Sequence, residues 1–226
     1  MVKNKKSKQG DGLKDVEQAL TKTEQFLENN LNVVIYTIAA LVVIVLGVIG
    51  FQRFYIGPRN ADAQEQMYVA QNYFSVDSFQ LAINGDGVSL GFLDIIDSYS
   101  STKAGKLARY YTGVSYLHLG EYDLALDYLK KFKTDDILLA PLTQSAIGDA
   151  YAELGNYSKA IAAYKNGLAN NENDFTTPTI LTKLALAYEA NGDKQKALDS
   201  YLKVKQDFPN NSDALNVEKN IARLKQ

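Results

Sequence analysis

Two hydrophobic periods divide the chain. From Val33 to Phe51 it reads VVIYTIAALVVIVLGVIGF, 19 residues without a charge, or about 28 Å as a helix at ~1.5 Å per residue. That matches the thickness of a bilayer core. A core helix of a globular protein carries a polar stripe, and this run has none. A cleaved secretory leader has a shorter apolar stretch with a small-residue cleavage site behind it; here 32 residues precede the run and no such site follows. The pattern predicts an uncleaved transmembrane helix over 33–51. Tyr36 falls at one interface, and Phe51, Phe54 and Tyr55 fall at the other.

Beyond the apolar run the spacing changes to three and four, the period of half-buried helices. Gly57-Pro58 predicts a helix break. Met67, Ala70, Phe74 and Leu81 follow at helical spacing over 61–83, and Leu90, Leu93, Ile96 and Tyr99 come after an Asn84-Gly85-Asp86-Gly87 turn. Together they predict a degenerate helical hairpin within 52–103. Before the apolar run, Asp11 is a candidate N-cap, and Leu13, Val16, Leu20, Leu27 and Leu31 space out an amphipathic helix in the tail 1–32.

The segment after residue 104 repeats itself. Gly113-Val-Ser-Tyr116-Leu-His-Leu-Gly120-Glu-Tyr122-Asp-Leu-Ala125 is followed by Gly148-Asp-Ala-Tyr151-Ala-Glu-Leu-Gly155-Asn-Tyr157-Ser-Lys-Ala160. A third copy runs Ala185-Leu-Ala-Tyr188-Glu-Ala-Asn-Gly192-Asp-Lys194-Gln-Lys-Ala197, so the offsets are 148 − 113 = 35 and 185 − 148 = 37. Small residues at 113, 148 and 185 let a first helix approach its neighbour closely. Gly120, Gly155 and Gly192 end that helix, because glycine takes the left-handed conformation of a C-terminal cap. Ala125, Ala160 and Ala197 sit at the crossing of a second helix, and Leu129, Tyr164 and Tyr201 follow one turn later. Burial of the Tyr151 ring predicts a cost of about 3–5 kcal/mol for Tyr151→Ala. Past Pro209, Ser212 is a candidate cap for a closing helix over 210–226, with Leu215, Val217, Ile221 and Leu224 against Glu218, Lys219, Arg223 and Lys225.

The pattern of small residue, tyrosine, Leu-Gly-x-Tyr and alanine resembles the tetratricopeptide repeat over 104–209. It departs in the third copy, where Asn191 and Lys194 replace leucine and tyrosine. The fold expected is all-α: one transmembrane helix, a helical-hairpin solenoid and a capping helix. The resemblance implies a concave surface lined by the first helices, which places Tyr110, Val114 and Leu117, then Ser145, Asp149 and Ala152, then Thr182, Leu186 and Glu189 on a partner-binding groove. Some chaperone-binding repeats hold a peptide's C-terminal carboxylate with Lys, Arg and Asn at these positions. Here the residues are apolar, small or acidic, so that clamp is not expected.

Composition narrows the chemistry. Lys plus Arg total 24 and Asp plus Glu total 26, a net charge of -2, which offers no basic field for nucleic acid. There is no Cys and no Trp, and His118 is the single histidine; a Ser/His triad or a zinc site needs more. His118 reads as a surface residue, Asp135-Asp136 as a helix start and Gly85-Asp86-Gly87 as a turn without the lysine of a phosphate loop. No catalytic, cofactor or metal site is expected, and no small-molecule substrate. Proteins and the lipid bilayer are the expected partners.

Six lysines precede the apolar run and Arg53 and Arg59 follow it; within about 20 residues of each end the count is two against two. The full tail favours the N-terminus inside, and the tied local count leaves the reverse topology open. The order of tail, anchor and small repeat array resembles the ancillary SecYEG translocon subunit family, the YfgM type. That resemblance implies a bacterial inner-membrane protein with periplasmic repeats, an accessory factor of translocation whose partners are translocon subunits, a periplasmic chaperone or an unfolded client. An adaptor for another envelope complex in cell-wall synthesis or division, and an anchored cytosolic repeat receptor, remain open beside it.

Overall fold

The computed structural model describes residues 29–169 and 172–225, and its regular elements are all helical, with no strand among the described residues. The tail up to residue 28, with its expected amphipathic helix, lies outside them. The chain divides into two compact units at Gly57 and Pro58.

The first unit holds α1 (Leu31–Phe51), which buries none of its residues. At 21 residues, or about 31 Å, it is long and apolar enough to cross a membrane. Thr37 donates its hydroxyl to the Val33 carbonyl at 2.7 Å, which satisfies a polar group that hydrocarbon would leave without a partner. The expected break at Gly57-Pro58 does not occur. Gln52–Ile56 widen into a π turn in which the Gly57 N–H reaches the Gln52 carbonyl, and α-helical backbone resumes at Gly57. Pro58 has no N–H and its ring crowds the carbonyl four residues back; a wider turn is how a helix absorbs that defect.

The second unit is a stack of antiparallel helices: α2 (Gly57–Ser75), α3 (Phe79–Asn84), α4 (Phe92–Tyr99), α5 (Lys103–His118), α6 (Tyr122–Leu129), α7 (Leu139–Glu153), α8 (Tyr157–Leu168), α9 (Thr177–Ala190), α10 (Lys194–Asp207) and α11 (Ser212–Leu224). One closure ends the first helix of every hairpin. The residue after Gly120 donates its N–H to the Tyr116 carbonyl at 2.9 Å while Gly120 itself donates to Leu117. The same pair recurs from Asn156 to Tyr151 and from Asp193 to Tyr188, both at 2.8 Å. This is the Schellman motif, and its left-handed residue is Gly120, Gly155 or Gly192.

The motif occurs a fourth time, and it splits the run 61–83 that the spacing reads as one helix. Ser78 donates to the Tyr73 carbonyl at 2.9 Å and Asp77 donates to Phe74 at 3.2 Å, with Asp77 at φ 58. Ala70, Tyr73, Asp77, Phe79 and Ala82 each lie 43 residues before Gly113, Tyr116, Gly120, Tyr122 and Ala125. Ala70 and Ala82 are fully buried, as the packing alanines of a repeat should be. The first hairpin is therefore α2 with a six-residue α3, cut short at Gly85 (φ 75). Phe92 and Ile95 of α4 complete its core with Met67, Ala104 and Ala108.

Four hydrophobic clusters run along the stack, and neighbouring clusters share helices, so each hairpin is stabilised by the next. At the far end α11 buries Ala214, Val217 and Ile221. Leu215, expected on the buried face, is 77% exposed. Asn211 caps that helix in place of Ser212, its Oδ1 accepting the Asp213 N–H at 2.9 Å.

Candidate functional site

The loops between hairpins set the pitch of the first helices. The last three place an Asx side chain over the following helix start: Asp136 Oδ1 accepts the Leu138 and Leu139 N–H groups, both at 2.9 Å, Asn173 Oδ1 accepts those of Phe175 and Thr176, and Asn211 repeats the arrangement. The two asparagines also reach back across the stack. Asn173 Nδ2 donates to the Ile137 carbonyl and Asn211 Nδ2 to the Asp174 carbonyl, both at 3.5 Å. These residues lie 37 and 38 apart (173 − 136, 211 − 173), a periodicity in the loops that the helix signature alone does not reveal.

The small residues at 113, 148 and 185 do what their size suggests. A Cβ on Gly113 would sit 2.5 Å from Leu129 Cγ, and one on Gly148 would strike the Tyr164 ring. Ala185 and Tyr201, both fully buried, share one cluster. Ala125, Ala160 and Ala197 are fully buried, Tyr188 is buried, and Tyr116 and Tyr151 are half-buried.

Between α7, α8 and α9 lies an open cavity of about 480 Å3, with Asp149, Ala152, Glu153, Lys183 and Leu186 in its wall. Asp149 is its electrostatic centre. Lys183 Nζ lies 2.6 Å from Asp149 Oδ2, and the Tyr164 hydroxyl donates to Asp149 Oδ1 at 2.8 Å. Burial first, and the Asp149 carboxylate second, hold the Tyr164 hydroxyl protonated well above the ordinary phenol range. A second acid, tyrosine and cation set stands six residues beyond Lys183 on α9: Glu189 accepts the Tyr201 hydroxyl at 2.8 Å and pairs with Arg223 at 2.6 Å. Burial and Glu189 raise the Tyr201 hydroxyl in the same way.

Of the nine residues expected on the groove, the structure gathers Asp149, Ala152 and Leu186 around this cavity. Tyr110, Val114 and Leu117 pack against the core between α5 and α8, with the Tyr110 ring 5.6 Å from Phe132. Ser145 is buried. Thr182 is half-buried with its hydroxyl on the Pro178 carbonyl, and Glu189 is held in the second set. The sequence reading did not place Tyr157 and Tyr164 there because they reach the cavity from the second helix α8, nor Lys183, which lies on α9 between the positions named by the repeat. His118 is exposed and stacks on Phe79 with ring centroids 4.5 Å apart. Among the described residues no three acidic or imidazole side chains come together in a way that holds a metal ion.

Family profiles described as tetratricopeptide repeat match residues 107–136 and 145–212. These hairpins are tetratricopeptide repeats. The repeat is a protein-interaction scaffold, and the chain carries it in the region whose closures and packing are described above. The fold is similar to the crystal structure of a Podosopora anserina protein described as a kinesin light chain with nearly identical TPR-like repeats. The TM-score is 0.57 at 16% identity, covering 74% of this chain and 87% of that one. A single-residue variant of that protein gives 0.59 at 17% identity, covering 74% and 86%. At such identities the likeness shows the fold alone. Photosystem I assembly protein Ycf3 of Acaryochloris marina (strain MBIC 11017) is 45% identical over 47 residues, 21% of this chain and 28% of that protein. The chain thus matches under a third of that relative's length.

Proposed function

We propose that this protein is a membrane-anchored scaffold that binds segments of other proteins in the groove around Asp149, Ala152 and Leu186. The observation that carries the reading is the open cavity on consecutive first helices, which joins an apolar floor to a few fixed polar groups, as ligand sites do. The uncharged, unburied α1 supports anchoring in a bilayer. The lysine-rich tail supports a cytoplasmic N-terminus and periplasmic repeats in a bacterial inner membrane. In that setting the order of tail, anchor and repeats supports an accessory role at the Sec translocon, where the groove holds an emerging chain or its chaperone.

A photo-crosslinking residue at position 186 of the tagged full chain tests both levels, with mass spectrometry of the captured proteins. Translocon subunits or a periplasmic foldase are the expected products. Absence of any crosslinked protein would refute the groove as a binding surface. The likeness to an assembly protein favours a second reading, an adaptor for another membrane complex; recovery of such a complex without translocon subunits would select it. Protease added to spheroplasts is expected to digest the repeats, and protection would reverse the topology.

A further inference from the structure

Resting on the groove reading above, we infer that the cavity between α7, α8 and α9 receives one cationic side chain, so that the partner presents a lysine or arginine among apolar residues. Three charged side chains line the cavity: Asp149, Glu153 and Lys183. Two of them are already committed to each other, since Lys183 sits 2.6 Å from Asp149 Oδ2 while Tyr164 occupies Oδ1. A carboxylate from a partner would have to break that pair to use Lys183. Glu153 is different. It is exposed and holds the Tyr122 hydroxyl at 3.3 Å, and no lysine or arginine among the described residues pairs with it. The cavity therefore keeps one uncompensated negative charge, and the field of Glu153 reaches far enough inside to help hold the Tyr164 hydroxyl protonated.

The rest of the lining suits the stem of such a side chain. Ala152, Ala187, Ala190 and Leu186 supply apolar wall, and Leu186 is 51% exposed. Lysine and arginine lay an apolar stem along such a surface and keep the charged head in water. Tyr157 lines the same cavity, and an aromatic face adds to the attraction of a cation. A volume of about 480 Å3 leaves room for an apolar neighbour of the cation as well. An acidic peptide meets the reverse: Glu153 repels it, and the cation it needs is occupied.

The test uses the full chain in lipid nanodiscs and four fluorescein-labelled, capped peptides of alanine and leucine. These are alike except for a central lysine, arginine, norleucine or glutamate. Anisotropy is read against empty nanodiscs. The lysine and arginine peptides are expected to bind at least tenfold tighter than the norleucine peptide, and the glutamate peptide weakest. Glu153→Gln should bring the lysine peptide to the norleucine level and leave the norleucine affinity unchanged, since the glutamine keeps the shape and the acceptor for Tyr122. Equal binding of lysine and norleucine by the unaltered chain, or an unchanged lysine preference in Glu153→Gln, overturns the charge assignment and leaves the groove standing. Tightest binding by the glutamate peptide overturns it in favour of Lys183 as an anion site. Absence of binding by all four overturns the pocket, and the crosslink at position 186 then decides separately whether the groove binds protein.

Discussion

Gly148→Ala is the sharpest test of how the repeats pack. A Cβ at this position would lie 2.6 Å from Tyr164 Cδ1 and 2.8 Å from Cζ, and nearer still to Cε1. The ring is 3% exposed and its hydroxyl is tied to Asp149 at 2.8 Å, so it cannot retreat without giving up that bond. Overpacking of this kind costs about 1–3 kcal/mol, and a stretched hydrogen bond to a carboxylate adds about 1 kcal/mol. Alanine's better helix propensity returns about 1 kcal/mol. The net loss is about 2 kcal/mol. For the unit Pro58–Gln226, a midpoint shift of about 2–4 °C per kcal/mol gives a fall of about 4–8 °C. Thermal unfolding followed by circular dichroism at 222 nm reads it. Ala185 and Tyr201, both fully buried in one cluster, already place a methyl near a tyrosine. An unchanged or raised midpoint in Gly148→Ala would mean that α7 and α8 part to admit the methyl at no cost, and the close-approach reasoning would be wrong.

Three further outcomes are expected. Tyr151→Ala should cost about 2 kcal/mol, below the loss for a fully buried ring, because the ring is half-buried with Lys130 and Lys159 at 5.0 and 5.4 Å from its centre; urea unfolding measures it, and a loss above about 4 kcal/mol would place the ring inside the core. Asn173→Ala should cost about 1–2 kcal/mol through the lost bonds to the turn that leads into α9, with amide exchange rising first at Phe175 and Thr176; unaltered protection there would count against that role. The Leu139 and Leu138 N–H groups hold the Asp136 carboxyl below its ordinary value of 3.8. A depressed folded-state value means that this contribution is complete above the ordinary value and is lost as the pH falls below it. Asp136→Asn should therefore weaken the acid dependence of the melting midpoint, and an identical acid limb in both proteins would sink that assignment.

The repeats were legible because three copies share glycine at one position, and a glycine required for φ > 0 leaves a mark in the sequence. The fourth copy escaped because Asp77 supplies the same left-handed turn without being glycine, and Phe79 stands where the other copies have tyrosine or lysine. A search by backbone role, a short polar residue four after a tyrosine and five before an alanine, would have found it. The groove was legible only in part. Repeat analogy names fixed positions on the first helices only, whereas the cavity also takes Tyr157 and Tyr164 from the second helix α8 and Lys183 from a position on α9 that the analogy leaves out. Tyr110, Val114 and Leu117 pack against the core instead of lining this cavity, because apolar side chains at such positions are drawn to the nearest core when Phe132 and its neighbours offer one. Gly57-Pro58 misled because a proline can be absorbed by widening one helical turn.

The asparagine bonds between hairpins have a mechanical meaning. Asn173 to Ile137 and Asn211 to Asp174 fasten successive hairpins at the end where the first helices begin, about 20 Å along α7 from the level of Ala152 at ~1.5 Å per residue. A fastened edge behaves as the spine of a book. Turning one hairpin about it by about 5° scarcely moves the loops, yet it parts the far ends of α7 and α9 by about 2 Å at that lever arm. Small rotations about that edge would widen or narrow the cavity between α7 and α9, while the register of the hairpins stays set by the two asparagines that bridge them.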